Sequence, residues 1–211
     1  LAATDKRESQ LASLPVFSPW RPANPHSHQL ALDSDYPQEQ KVKFLFDIDR
    51  AARAGGEKIS QVQSMALERL QNVQIFNTEG LQVEDTRQYT RLMAKAIAED
   101  GSERSDGYEA PGGLMGWEFT ENVNPAELGE TVAQQALTKL TAAPCPAGQM
   151  PVIIDNGFGG VIFHEACGHL LETTSVAKKA SVFHDKMDQM IANECVNAVD
   201  DGTIENKWGS I

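Results

Sequence analysis

No stretch of the 211 residues approaches the ~20 consecutive apolar residues of a membrane-crossing helix, so no membrane association is expected. The opening LAATDKRESQLASL lacks the continuous hydrophobic region of a secretory signal. Cysteine is scarce: Cys145, Cys167 and Cys195 make an odd set with no C-x-x-C pair. That fits free thiols in a reducing compartment better than a disulfide framework, so the expected location is cytoplasmic. Basic residues are also short, with 18 Lys and Arg against 30 Asp and Glu and a formal net charge of -12. Binding to a phosphate backbone rests on Lys and Arg replacing counterions, so direct nucleic-acid binding is not expected. No internal repeat or low-complexity tract is present.

What is there reads as globular. Hydrophobic residues make up 41% and charged residues 23%, and the length accommodates one domain or two small ones. The chain opens on Leu1 rather than Met and closes on Gly209-Ser210-Ile211, which reads as strand, so it is expected to be part of a longer protein. Five prolines between residues 11 and 37 predict an extended lead-in over 1–37. His26 and His28 lie there, and histidines in such a loop are more often solvated than metal-bound. An α+β region is predicted over 38–143. Its first helix, 38–54, carries Leu45, Ile48 and Ala52 on one stripe and stops at Gly55-Gly56. Strands are expected at 60–70, 72–77, 81–98 and 104–109, with turns at Thr78-Glu79-Gly80 and Glu99-Asp100-Gly101. Leu92, Ala96 and Ile97 would also suit a helix, but the flanking turns favour strand. A second helix has Asn124 as cap, Pro125 in its first position, Glu127 three after the cap, and Leu128, Val132, Ala136 and Leu140 on its apolar face. The fold class is therefore α+β, an antiparallel β-meander with packed helices, followed by a strand, a glycine turn and a metal-binding helix.

That last unit, 144–211, holds the chemistry. An apolar strand is predicted over 150–154, then Asn156-Gly-Phe-Gly-Gly160, then VIFHEACGHL over 161–170. The glycines match neither phosphate-loop pattern, so nucleotide binding is a weak reading. In H-E-x-x-H two histidines four apart share a helix face. His164 and His169 are five apart, which on a regular α-helix is ~140° around the axis. Two routes restore a site. A π-bulge absorbs the extra residue, with Gly168 making the distortion cheap. Alternatively the helix stays regular and Glu165, His169 and Glu172 form one stripe, or His164 pairs with Cys167. The plain alternative is a buried helix built on Phe163, Ala166, Leu170 and Leu171. A Glu between two histidines in such a segment needs a partner, which argues for a metal.

AGQMPVIIDNGFGGVIFHEACGHLLE, with SVF at 181–183 and VDDGT at 199–203, resembles the TldD/PmbA family of metallopeptidases, whose hallmark is H-E-x-x-x-H. DIDRAARA (47–54), FNTEG (76–80), VED (83–85) and GYEAPGG (107–113) resemble it as well. The resemblance implies zinc-dependent peptide hydrolysis, with Zn2+ held by His164 and His169 and Glu165 as general base; the hairpin-rich sequence around the metal helix suggests that the peptide is held extended, so unfolded or short peptides are the expected substrates. It implies a third ligand, a cysteine, from a later part of the chain, so that none of the three cysteines here is a ligand. It also implies a homologous partner subunit, in a homodimer or a heterodimer. If residues 1–211 hold their own third ligand, Glu172 and His184 are the candidates. The rival reading is a non-catalytic interaction or scaffold subunit of the same kind of complex.

Overall fold

The computed structural model describes residues 18–19 and 36–210. These divide into two compact units, one containing residues 36–143 and 201–210 and the other containing 144–200. The class is α+β, with an antiparallel sheet and packed helices. His26 and His28 lie outside the described residues, as does most of the proline-rich lead-in. Within it, Ser18 and Pro19 form a short strand, β1 (Ser18–Pro19), parallel to Leu81 and Gln82.

In the first unit, α1 (Gln38–Arg53) starts after Pro37 and ends just before Gly55 and Gly56, where Gly56 adopts φ +124. Two long strands follow, β2 (Ile59–Phe76) and β3 (Leu81–Asp100), paired antiparallel along almost their full length. The expected break near residue 71 is absent. Gln71 and Asn72 are exposed, where a strand needs no apolar side chain, and Asn72 accepts a cross-strand bond of 3.0 Å from the Thr86 hydroxyl. The ambiguous 81–98 segment is strand, as its flanking turns indicated. β4 (Glu103–Glu109) pairs with the end of β3 and completes the meander, while the short β5 (Gly112–Gly113) pairs with Thr90 and Arg91.

Packing explains the alternation. Leu92, Ala94, Ala96 and Ala98 of β3 are each fully buried on one sheet face, beneath Ile48 and Ala52 of α1 and Val132 and Ala136 of α2 (Pro125–Leu140). Burying side chains such as Ile48 and Leu92 stabilises the fold by ~1.5–3 kcal/mol each. The Asn124 side chain caps α2 by accepting the Ala126 N–H at 3.0 Å, and Pro125 opens the helix. Small residues set how closely the layers approach. A Cβ on Gly129 would lie 2.4 Å from the Ile48 carbonyl oxygen, and one on Gly107 would lie 1.9 Å from that of Val132. Residues near the end of the chain close over β3: Trp208 packs against Tyr89 at 5.2 Å, and the Leu114 N–H donates to the Asn206 carbonyl at 3.1 Å.

The second unit is built from turns and short helical segments. No strand forms at 150–154, which corrects the expected strand before the glycine turn. A strand needs a ladder partner, and none of the described residues supplies one. Val152 and Ile153 are 73% and 98% exposed. The expected strand at Gly209 and Ser210 is likewise absent; residues 207–210 close a turn through the Ser210 N–H and the Lys207 carbonyl at 3.1 Å.

Gly129 lies inside a helix, where alanine ordinarily adds ~0.5–1 kcal/mol of stability. Here the new methyl would push α1 away from α2. Gly129→Ala is therefore expected to destabilise the protein by about 1–3 kcal/mol, read as a lower denaturant midpoint at unchanged slope.

Candidate metal centre

The VIFHEACGHL segment changes its winding where the histidines require it. It is α-helical over Val161–Phe163, widens to π over His164–Gly168, and returns to α over His169–Leu171. The His169 N–H donates to the His164 carbonyl, five residues back. A turn closed at i→i+5 brings the two histidines onto one face, which an α turn would not do. Their ring centroids are 4.3 Å apart with the planes at 63°. The π route is thus the one the chain takes, although part of the regular stripe survives around His169: its Nε2 lies 3.9 Å from Glu165 Oε2, and its Nδ1 lies 2.7 Å from Glu172 Oε1.

Gly168 serves the site differently from the sequence expectation. Its φ of -55 and ψ of -52 are ordinary helical values, so no special backbone freedom is used. What matters is the missing side chain. A Cβ there would sit 3.3 Å from His164 Nδ1, tighter than packing normally allows, so glycine leaves room for the ring.

One donor atom from each of His164, Glu165 and His169 lies within 4.8 Å of the others, and all three side chains are exposed. No other cluster of this kind occurs among the described residues. Two imidazole nitrogens are borderline donors that suit zinc, and the Glu165 carboxylate lies beside them, where a base for a metal-bound water would stand. The donor set therefore fits the metal that the sequence motif implies. Cys145, Cys167 and Cys195 are free thiols outside the cluster. His184 also stands apart, its Nδ1 donating to the Ser181 carbonyl at 2.9 Å. Beside Glu165 an open cavity of about 580 Å³ is lined by Gly159, Val161, Ile162 and Ala166.

Sequence reasoning assigned no role to Ser181. Its side chain is almost wholly buried, and its hydroxyl donates to the Leu170 carbonyl at 2.5 Å while accepting the Phe183 N–H at 3.0 Å. It thereby ties the SVF turn to the end of the histidine helix. The only signal in the sequence was the SVF motif itself.

A family profile described as the PmbA/TldA metallopeptidase central domain matches residues 32–140, and one for the C-terminal domain matches 147–211. The chain belongs to the PmbA/TldD family of metallopeptidases. It is 33% identical over 179 residues to a metalloprotease TldD homolog of Haemophilus influenzae, covering 82% of this chain and 37% of that protein. It is 31% identical over 172 residues to a metalloprotease of Methanothermobacter thermautotrophicus, again covering 82% of this chain and 37% of the relative. The chain thus spans little more than a third of the length of these relatives. A crystal structure from Thermotoga maritima, described as a candidate modulator of a DNA gyrase, shares the fold with a TM-score of 0.61 at 23% identity, over 76% of this chain and 36% of that one. Membership in a metallopeptidase family implies a metal ion. No helix among the described residues is long and apolar enough to cross a membrane.

The space beside Gly168 gives a direct test of the site. Gly168→Ala raises helix propensity yet crowds the His164 ring. It is expected to preserve the helix by circular dichroism while weakening metal uptake in a titration of the full-length protein.

Proposed function

We propose that the full-length protein is a zinc-dependent peptidase in which His164 and His169 hold the metal and Glu165 is the general base. The observation that carries this reading is the π turn, which sets both imidazoles on one face with the Glu165 carboxylate beside them. When bound, zinc supplies a Lewis acid and lowers the pKa of a coordinated water to about 7. His164 and His169 each offer an unprotonated ring nitrogen. Glu165 directs its carboxylate into the same space, with Oε2 3.9 Å from His169 Nε2. From there it takes a proton from the attacking water and delivers it to the leaving amine.

Catalytic zinc sites use three protein ligands, and the two histidines leave one to be supplied. We take it to come from outside residues 1–211, since neither His184 nor any cysteine among the described residues joins the cluster. Residues 144–211 then begin the catalytic region, behind an α+β region at 38–143 and a lead-in at 1–37. We further take the protein to be cytoplasmic and to work with a homologous subunit, as a homodimer or heterodimer.

Substituting Glu165→Gln removes the base but not the donors of the metal. Hydrolysis is expected to fall by a factor of about 10²–10⁴ with zinc still bound, whereas His164→Ala loses both. A full-length protein that binds no zinc would support the scaffold reading instead.

Short and unfolded peptides are the proposed substrates. A scissile carbonyl must come within hydrogen-bond reach of Glu165, and a carbonyl paired inside a folded protein is not free to do so. An unfolded polypeptide should be cleaved and its compact folded form spared; equal cleavage of both would contradict this choice.

A further inference from the structure

We infer that Glu172 is a positioning residue, which holds His169 in the orientation and tautomer needed to bind metal, and not a metal ligand. This rests on the zinc reading above. The two nitrogens of the His169 ring have different neighbours. Nε2 lies 3.9 Å from Oε2 of Glu165, a member of the donor cluster, while Nδ1 meets Glu172 Oε1 at 2.7 Å. A neutral imidazole has one donor and one acceptor nitrogen, and an ionised carboxylate only accepts. Glu172 therefore places the proton on Nδ1 and leaves the Nε2 lone pair free toward the cluster. A carboxylate that receives the remote N–H of a metal-binding histidine fixes the orientation and tautomer of the ring.

The backbone of Glu172 is well anchored for this task. The helix ends at this residue, which turns to φ -61 and ψ 134, and its carbonyl accepts the N–H groups of Ser175 and Val176 at 3.0 Å each to open the short helix Thr173–Ala177. Just before it, the Leu170 carbonyl is held by the Ser181 hydroxyl. The side chain is thus presented to His169 from a backbone held on both sides. The carboxylate does not join the three-residue donor cluster, which separates its role from that of a ligand. Because the pair is half-exposed, its contribution to folding is small, and its effect belongs in metal binding.

The test is zinc affinity of the full-length protein by chelator competition, for wild type, Glu172→Ala and Glu172→Gln, with unfolding midpoints of the zinc-free forms. Glu172→Ala is expected to bind zinc about 10–100-fold more weakly at an unchanged midpoint. Glu172→Gln retains an acceptor for the Nδ1–H, so it should recover most of the affinity. Wild-type affinity in Glu172→Ala overturns the inference. So does a Gln variant as weak as the Ala variant, which would mark Glu172 as a ligand, or a midpoint that falls with the affinity, which would mark a structural role. Absence of zinc from the wild-type protein would overturn the zinc reading as well, whereas those outcomes in a zinc-binding protein overturn this inference alone.

Discussion

One extra residue between two histidines governs the whole candidate site. On an α-helix, five residues carry the second imidazole ~140° away from the first, so the two rings leave the helix on different faces. The i→i+5 turn over His164–Gly168 removes that conflict by widening the backbone instead of moving the side chains. The consequences are local and mutually dependent. Gly168 leaves room for the His164 ring, which a Cβ there would meet at 3.3 Å. Glu165 remains close to His169, and the helix stops at Glu172, one turn after the second histidine, which returns a carboxylate to that ring. π turns are rare and concentrate at functional sites, consistent with a geometry kept for the side chains it presents.

The first unit shows a different economy, in which closeness is built from small residues. Ala94, Ala96 and Ala98 line the buried face of β3, and glycines at 107 and 129 bring β4 and α1 against the backbone of α2. Such contacts bury little area per residue but leave no slack, so adding a methyl at Gly129 matters more than its size suggests. The second unit has few such contacts. Its apolar residues at 152 and 153 stand in solvent, and the chain spans 37% of the length of its metalloprotease relatives.

Much of this was legible in the sequence, for reasons that differ by element. α2 was readable because Asn124, Pro125 and the apolar stripe act through neighbours a few residues away. β3 was recoverable from its turns although its alanines also suit a helix. The segment at 150–154 misled because apolar composition is local and strand pairing is not. At the site, periodicity identified the participants but not their arrangement. It offered a π turn and a regular stripe as alternatives, and the chain uses the first while keeping the His169 contacts of the second. Glu172 was visible as a possible ligand, whereas only the geometry separates the nitrogen that it meets from the one nearer Glu165. For Gly168 the sequence suggested backbone freedom, and the structure assigns its value to empty space.

The central claim is that the π turn delivers both imidazoles to one zinc ion. Zinc-edge X-ray absorption of the full-length, zinc-loaded protein tests it most directly. The account requires two histidine nitrogens at ~2.0–2.1 Å from the metal, falling to one or to metal loss in His164→Ala and in His169→Ala. A single histidine in the wild-type spectrum, or a count unchanged by either substitution, would contradict it.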